Sequence, residues 1–201
     1  MNAIHILIIL LALLCIPTDG DSIPSAPEQN ITDILLEDPN TLLDRVENGT
    51  FPDFDPTSLT DHQDLLYRKL ALGLASRGDY ETAAEILLSI PPEVRTQDST
   101  LLLAFMHTRI QEYGAAMSHI INLQAQYPDD LKLDNARAYV LCFAGSPADA
   151  RRIMERVIQQ VPDYEPFLDT WGTILAEEVR YKEKKKTFKK AHALMPDDAE
   201  V

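Results

Sequence analysis

The residue types that usually carry catalysis are few in this chain of 201 residues, and their spacing matches no catalytic motif. Cys142 is the only cysteine after residue 15, and its position in a predicted helix favours a small buried hydrophobe. Carboxylate pairs at 129–130 and 177–178 fall at predicted helix ends, where carboxylates are common without catalysis. We therefore predict no catalytic residue; an enzyme site assembled from distant residues is the alternative.

Metal and cofactor binding have no sequence signature here. The histidines lack a ligand spacing such as HExxH, and the chain has no glycine-rich phosphate loop and no GxSxG motif. The formal charge is −14, whereas nucleic-acid binding requires a basic surface. We predict no metal, no cofactor and no nucleic-acid partner. The histidines concerned are His62, His107, His119 and His192.

A period of 33 to 34 residues runs through the chain from Leu66 to Pro196. Three prolines, each followed by aspartate, lie 34 residues apart, and alanines and tyrosines repeat with the same period or a multiple of it. Such a period indicates stacked supersecondary units, because one helix pair alone cannot bury its apolar face. The repeating residues are Pro128, Pro162 and Pro196; Ala83, Ala116 and Ala150; and Tyr80, Tyr113 and Tyr181.

Each period has the pattern of two helices joined by a tight turn. In the first, Leu66, Leu70 and Leu74 recur at helical spacing and form one apolar stripe. Gly78 suits the left-handed backbone conformation that ends a helix, and Pro91 stops the second helix. We predict helices at 60–77, 80–90, 97–111, 113–127, 131–144, 147–160, 165–179 and 181–194.

These positions resemble the tetratricopeptide repeat, with small residues in the first helix, glycine and an aromatic residue at the turn, and proline at the end of the unit. The resemblance covers about four units, at 64–96, 97–129, 130–163 and 164–197. It implies an all-α fold, a right-handed superhelical solenoid of antiparallel helix pairs. The repeat-defining residues are Ala71, Gly78, Tyr80, Ala83, Ala104, Tyr113, Ala116, Pro128, Ala138, Gly145, Ala150, Pro162, Trp171, Gly172, Tyr181, Phe188, Ala191 and Pro196.

The units depart from the repeat mainly at their turns. Gln111 stands at the turn glycine of the second unit, and Pro147 replaces the aromatic residue of the third, where proline suits the first turn of a helix. The fourth unit has Val179 at the turn glycine and Lys184 at a small-residue position. We therefore expect the last helix to be splayed or to face solvent, and Trp171 to be largely buried.

Two segments precede the solenoid, which we place at 58–201. Residues 1–20 contain an apolar run that suits a secretory signal peptide; an uncleaved anchor and lipidation at Cys15 are the alternatives. Residues 21–57 read as an acidic, proline-rich linker, in which two apolar clusters predict short helices that dock on the first repeat. We predict an exported protein, periplasmic, envelope or secreted, with membrane contact only through the N-terminal segment. We attribute two glycosylation sequons, at 30–32 and 48–50, to chance.

In tetratricopeptide arrays the first helix of each unit lines a concave groove, which holds a peptide or a partner helix. The corresponding faces in this chain combine aromatic and charged residues, a mixture that is typical of interaction hot spots. The alternative is that Phe105 and Phe143 pack between neighbouring units. The predicted groove residues are Arg68, Phe105, Arg109, Lys132, Asn135, Tyr139 and Asp169.

The predicted function is protein–protein interaction without catalysis, by a scaffold or adaptor that binds a protein or peptide partner in this groove. The alternatives are a membrane-anchored, lipoprotein-like envelope assembly factor and a self-assembling structural protein. Self-association would join the acidic arm, which has 12 acidic residues and one arginine between residues 19 and 64, to the basic last helix. Residues 180–190 of that helix hold seven of the chain's 18 basic residues, which also suits a solvated cap.

Overall fold

A computed structural model describes residues 31–50 and 56–194, and this part of the chain is all-α, with no strand. The all-α prediction is confirmed for these residues. The predicted helix starts at 80, 97, 113, 131, 147 and 165 are also confirmed. The helices are α1 Ile31–Leu35, α2 Pro39–Glu47, α3 Pro56–Ser76, α4 Tyr80–Leu88, α5 Gln97–Arg109, α6 Tyr113–Gln126, α7 Leu131–Phe143, α8 Pro147–Gln160 and α9 Glu165–Leu194.

Some predicted features lie outside the described residues. They are the signal region 1–20 with Cys15, the asparagine of the first sequon, and Pro196. Phe188 and Ala191 fall within α9, whose side chains are described only as far as residue 186.

The chain divides into two compact units, Met1–Ile110 and Gln111–Val201. The sequence predicts one solenoid over 58–201, and the division falls within its second predicted repeat.

Two short helices, α1 and α2, pack on α3 in the first unit. Each of the two apolar clusters noted in the linker sequence forms a short helix, and the apolar residues of α1 and α2 are buried in the same core as those of α3. Lys69 of α3 donates a hydrogen bond from Nζ to the backbone oxygen of Glu37, at 2.6 Å. The buried residues of this segment are Ile34, Leu35, Leu42, Leu43 and Val46.

Gly73 allows α2 to lie directly on α3. A Cβ atom added at Gly73 would stand 2.7 Å from the backbone oxygen of Pro39 and 3.3 Å from Cβ of Leu43. No side chain fits in that space without moving α2. Arg77, the residue that follows α3, ion-pairs with Asp44 and Glu47 of α2. The hydrogen bonds and charges of these two carboxylates raise the pKa of Arg77 above its usual value, and the hydrogen bond to Asp44 has the largest effect.

Helices α3 and α4 form the first antiparallel pair. Gly78 has a φ of +84°, the left-handed conformation that ends α3, and Asp79 caps α4 by accepting a hydrogen bond from the Thr82 backbone N–H at 3.1 Å. Ala71 and Ala83 are fully buried, as small residues at a close helix crossing must be. Helix α5 packs next to α4 and is tied to α3, because Asp64 accepts hydrogen bonds from both the N–H and the hydroxyl of Thr96.

Helices α7 and α8 form a second pair in the second unit. Gly145 ends α7 with a φ of +87°, and Pro147 begins α8, as predicted. Ala138 and Ala150 are fully buried. Gln111 has a φ of +66°, so it keeps the left-handed turn conformation without being glycine. Left-handed residues therefore recur at 78, 111 and 145, with the period of the sequence.

The fourth predicted helix pair does not form. The prediction placed a turn between 179 and 181, but α9 continues from Glu165 to Leu194 as one helix. Val179 supplies no left-handed turn residue, and the ion pairs of Glu178 with Lys182, at 2.7 Å, and of Glu177 with Arg180 support the helix across this point. Tyr181, predicted to open a second helix, is an exposed residue in mid-helix.

Trp171 is partly buried and packs against the core of the second unit, where Phe167 and Ile174 are buried. Its remaining exposure has its cause in the same helix. Because α9 does not turn back, no second helix of a fourth pair stands over its first half.

Candidate functional site

The predicted groove residues of the first unit have partners within that unit. Arg68 donates from a guanidinium N–H to Asp98 Oδ2 at 2.9 Å. The Arg109 guanidinium carbon lies 4.8 Å from the centroid of the Tyr80 ring, which joins the end of α5 to the start of α4. Phe105 packs against the core that α1 to α5 share. Each of these contacts stabilises the unit, and a ligand role for the three residues remains a prediction.

In the second unit, four residues follow one another along α7 at helical spacing, and we call them the α7 face: Lys132, Asn135, Tyr139 and Phe143. Lys132 is exposed, and the other three are half-buried. The rings of Tyr139 and Phe143 lie 4.8 Å apart at an angle of 51°. The Asn135 Oδ1 atom is buried and has no hydrogen-bond partner.

At its Phe143 end, the α7 face leads into a cleft of about 400 Å³, which we call the α9 cleft. Its walls are formed by the C-terminal end of α7, by the first residues of α6 and α8, and by the middle of α9. Its volume lies within the usual range of about 300–1,000 Å³ for binding sites. The lining residues are Gln111, Tyr113, Cys142, Phe143, Gly145, Pro147, Glu177, Arg180, Tyr181 and Lys184.

The cleft combines aromatic surface with positive charge. Arg180 and Lys184 stand one turn apart on α9, and Glu177 accepts a hydrogen bond from Arg180 at 3.1 Å. Lys182, Lys185 and further lysines extend the positive charge along the same helix. Because Arg180 and Lys184 are exposed, their charges act on approaching solutes more than on the stability of the fold.

Cys142 lies in the wall of the cleft but does not have the properties of a nucleophile. Only 4% of the residue is exposed, as the prediction of a small buried hydrophobe requires. Burial, with a smaller effect from the charge of Glu177, raises the pKa of the thiol from 9.0 to about 11. The thiolate is the reactive form of cysteine, so this thiol stays protonated and unreactive at neutral pH.

The cleft was not predicted from the sequence. The sequence pattern places the basic run in a separate second helix, whereas Arg180 and Lys184 line a cleft with the end of α7 only because α9 is continuous. Asp169, a predicted groove residue, is exposed on α9 and lies outside both the α7 face and the cleft lining.

Within the part of the chain that the structure describes, no three His, Cys, Asp or Glu side chains are grouped so that they could hold a metal ion. No helix among the same residues is long and apolar enough to cross a membrane. Comparison with known proteins gave no significant match to any protein-family model, curated protein or solved structure.

Proposed function

We propose that this protein is a non-catalytic interaction protein that binds an acidic segment of a partner protein through the α7 face and the α9 cleft. The observation that carries the proposal is the composition of the cleft, in which three aromatic side chains, Tyr113, Phe143 and Tyr181, adjoin the cations Arg180 and Lys184. Aromatic residues and arginine are the types most enriched where protein interfaces gain their affinity.

The two kinds of residue contribute in different ways. The rings of Phe143 and Tyr181 offer apolar area that a partner's aromatic or aliphatic side chain can cover, and Tyr181 adds a hydroxyl group. Exposed cations speed the approach of an acidic segment and fix its register.

The length of the α7 face sets the size of the bound segment. From Lys132 to Phe143 the helix rises about 16 Å at about 1.5 Å per residue. An extended peptide covers that length with about five residues, at about 3.3 Å each. The bound segment is therefore short, with acidic side chains toward the Lys132 and Lys184 ends and an apolar side chain between them.

We also propose that the helix pairs belong to the tetratricopeptide type and stack as a right-handed solenoid. The proposal is supported by the period of the sequence, by the buried alanines at 71, 83, 138 and 150, and by the left-handed residues at each 33- to 34-residue interval. Export is part of the same proposal and rests on the sequence of residues 1–20 alone.

Panning a random peptide display library on the full chain tests the binding proposal. We expect the selected peptides to be rich in aspartate and glutamate with one aromatic or aliphatic residue. Their affinity should fall at least tenfold for the Arg180→Glu/Lys184→Glu variant, and Tyr139→Ala should weaken binding separately. The matched control is Arg152→Glu/Arg156→Glu, which reverses two exposed charges of α8 outside the cleft.

Two results would refute the proposed function. One is a library that yields no peptide above background. The other is equal loss of binding in the cleft variant and the α8 control, because it would show that peptides respond to net charge and not to the cleft.

A further inference from the structure

The outer face of α9, turned away from the cleft, is apolar and exposed. Leu168, Leu175 and Val179 are exposed by 44%, 37% and 58%, and Gly172 lies between them on the same face. These four positions follow one another at intervals of four, three and four residues, the spacing of a seam between two packed helices. Surface patches of this kind, on one helix face, commonly mark an interaction site.

Comparison with the other helix pairs shows that this face lacks a covering helix. The equivalent residues of the earlier units, Ala71, Ala104 and Ala138, are almost fully buried. Gly172, by contrast, is exposed, and a Cβ atom added to it would have no neighbouring atom within 4 Å. The sequence period predicts that residues 181–194 form a second helix, which would pack on residues 165–179. Because α9 is continuous, residues 181–194 extend beyond 165–179 and do not fold back on them.

The two halves of α9 have opposite charge. Residues 165–179 contain four acidic residues and no basic one, whereas residues 180–194 contain seven lysines and arginines and one glutamate. A parallel pair of such helices would set like charges against each other. An antiparallel pair sets the acidic half of each helix against the basic half of the other.

We infer that the occupant of this face is a second copy of the chain, whose α9 packs antiparallel to the first. Residues 181–194 of each copy then cover the exposed seam of the other, so each copy supplies the helix that the other copy lacks. The arrangement is a closed twofold pair in which the same surface is used twice. Its axis passes close to residue 180, the middle of α9.

This interface is separate from the proposed peptide site. The cleft uses Glu177, Tyr181 and Lys184, which lie on the inner face of α9, and the seam uses the opposite face. Self-association and peptide binding can therefore be lost independently, and the inference does not depend on the proposed function.

Sedimentation equilibrium of the full chain at about 10 to 50 µM, which detects dimers with micromolar dissociation constants, is the first test. We expect a dimer for the natural sequence and a monomer for Leu175→Glu/Val179→Glu, with unchanged helix content by circular dichroism. Leu88→Glu replaces an equally exposed leucine of the first unit and should stay dimeric. A natural chain that is monomeric at 50 µM, or a seam variant that remains dimeric, overturns the inference.

Orientation is tested by a spin label at a cysteine that replaces Asp169, which is exposed on α9 outside both the seam and the cleft, with Cys15→Ser and with Cys142 buried and unlabelled. An antiparallel pair centred near residue 180 separates the two labels by about 33 Å along the axis, at about 1.5 Å per residue. A parallel pair brings them to about 10 Å, the distance between packed helices. The longer distance supports the inference, and the shorter one overturns it.

Discussion

Replacing Gly73 by alanine tests whether α2 is held directly on α3. Alanine is the better helix former, so a glycine in mid-helix is ordinarily improved by this change. At Gly73, however, the new Cβ atom would lie 2.7 Å from the Pro39 backbone oxygen and 3.3 Å from Cβ of Leu43. A backbone carbonyl cannot turn aside as the end of a flexible side chain can, so α2 as a whole must move.

Two opposing contributions decide whether Gly73→Ala raises or lowers the free energy of unfolding. Alanine gains about 0.8–1.0 kcal/mol over glycine in a helix interior. Overpacking of a well-filled site costs about 1–3 kcal/mol. We therefore expect Gly73→Ala to lower the free energy of unfolding by about 1 kcal/mol, because the overpacking exceeds the gain in helix propensity. Gly172→Ala, where nothing lies within 4 Å, should raise it by about 1 kcal/mol.

The assay is urea unfolding followed by far-ultraviolet circular dichroism, at a protein concentration where sedimentation shows a monomer. Amide hydrogen exchange shows where the chain is destabilised. In Gly73→Ala the exchange should become faster in α2 and stay unchanged in α8. If Gly73→Ala proves as stable as the natural chain or more so, the close contact of α2 with α3 is wrong. A neutral Gly172→Ala would show instead that the helix-propensity value does not apply at that exposed position.

Three further predictions concern single residues of the second unit. Gln111→Gly should raise the free energy of unfolding by about 0.5–1 kcal/mol, because glutamine is strained at a φ of +66°; unchanged stability in urea would contradict this. Ala150→Leu should lower it by about 1–3 kcal/mol through overpacking of a fully buried position, and a variant that unfolds at the natural urea midpoint would argue against a close crossing of α7 and α8. For Cys142, whose pKa is raised to about 11, the stability due to the protonated thiol is complete below pH 9 and is lost as pH rises towards 11, because the unfolded thiol ionises first. The advantage of the natural chain over Cys142→Ala should therefore narrow between pH 9 and pH 11, and a constant difference in unfolding free energy would contradict the buried thiol.

The helix starts from 80 to 165 could be predicted because local residue types determine them. Tyr80 follows a left-handed glycine and a capping aspartate, and Pro147 occupies a helix's first turn, so a few neighbouring residues decide each boundary. The left-handed Gln111 shows that the repeat keeps its turn conformation even where the residue type does not favour it.

The prediction failed in α9 because the period was extended past the point where its residue types end. Val179 and Lys184 already depart from the repeat, and helix-forming residues with ion pairs at Glu177 and Glu178 favour continuation. The cleft depends on that continuation, since Arg180 and Lys184 meet α7 only on an unbroken helix. Contacts between residues far apart in sequence, such as Arg68 with Asp98, likewise have no signature in any local pattern.

In the proposed solenoid, the packing of α1 and α2 on α3 would give the array a direction. Ile34, Leu42 and Leu43 share a buried core with α3, and Arg77 ion-pairs with two carboxylates of α2, so these two helices would take the place of a preceding helix pair. Insertion of another repeat ahead of α3 would have to displace these helices and expose their leucines to water. We therefore expect a repeat that is duplicated or grafted ahead of α3 to destabilise the first unit, and a repeat inserted after α4 to be tolerated better.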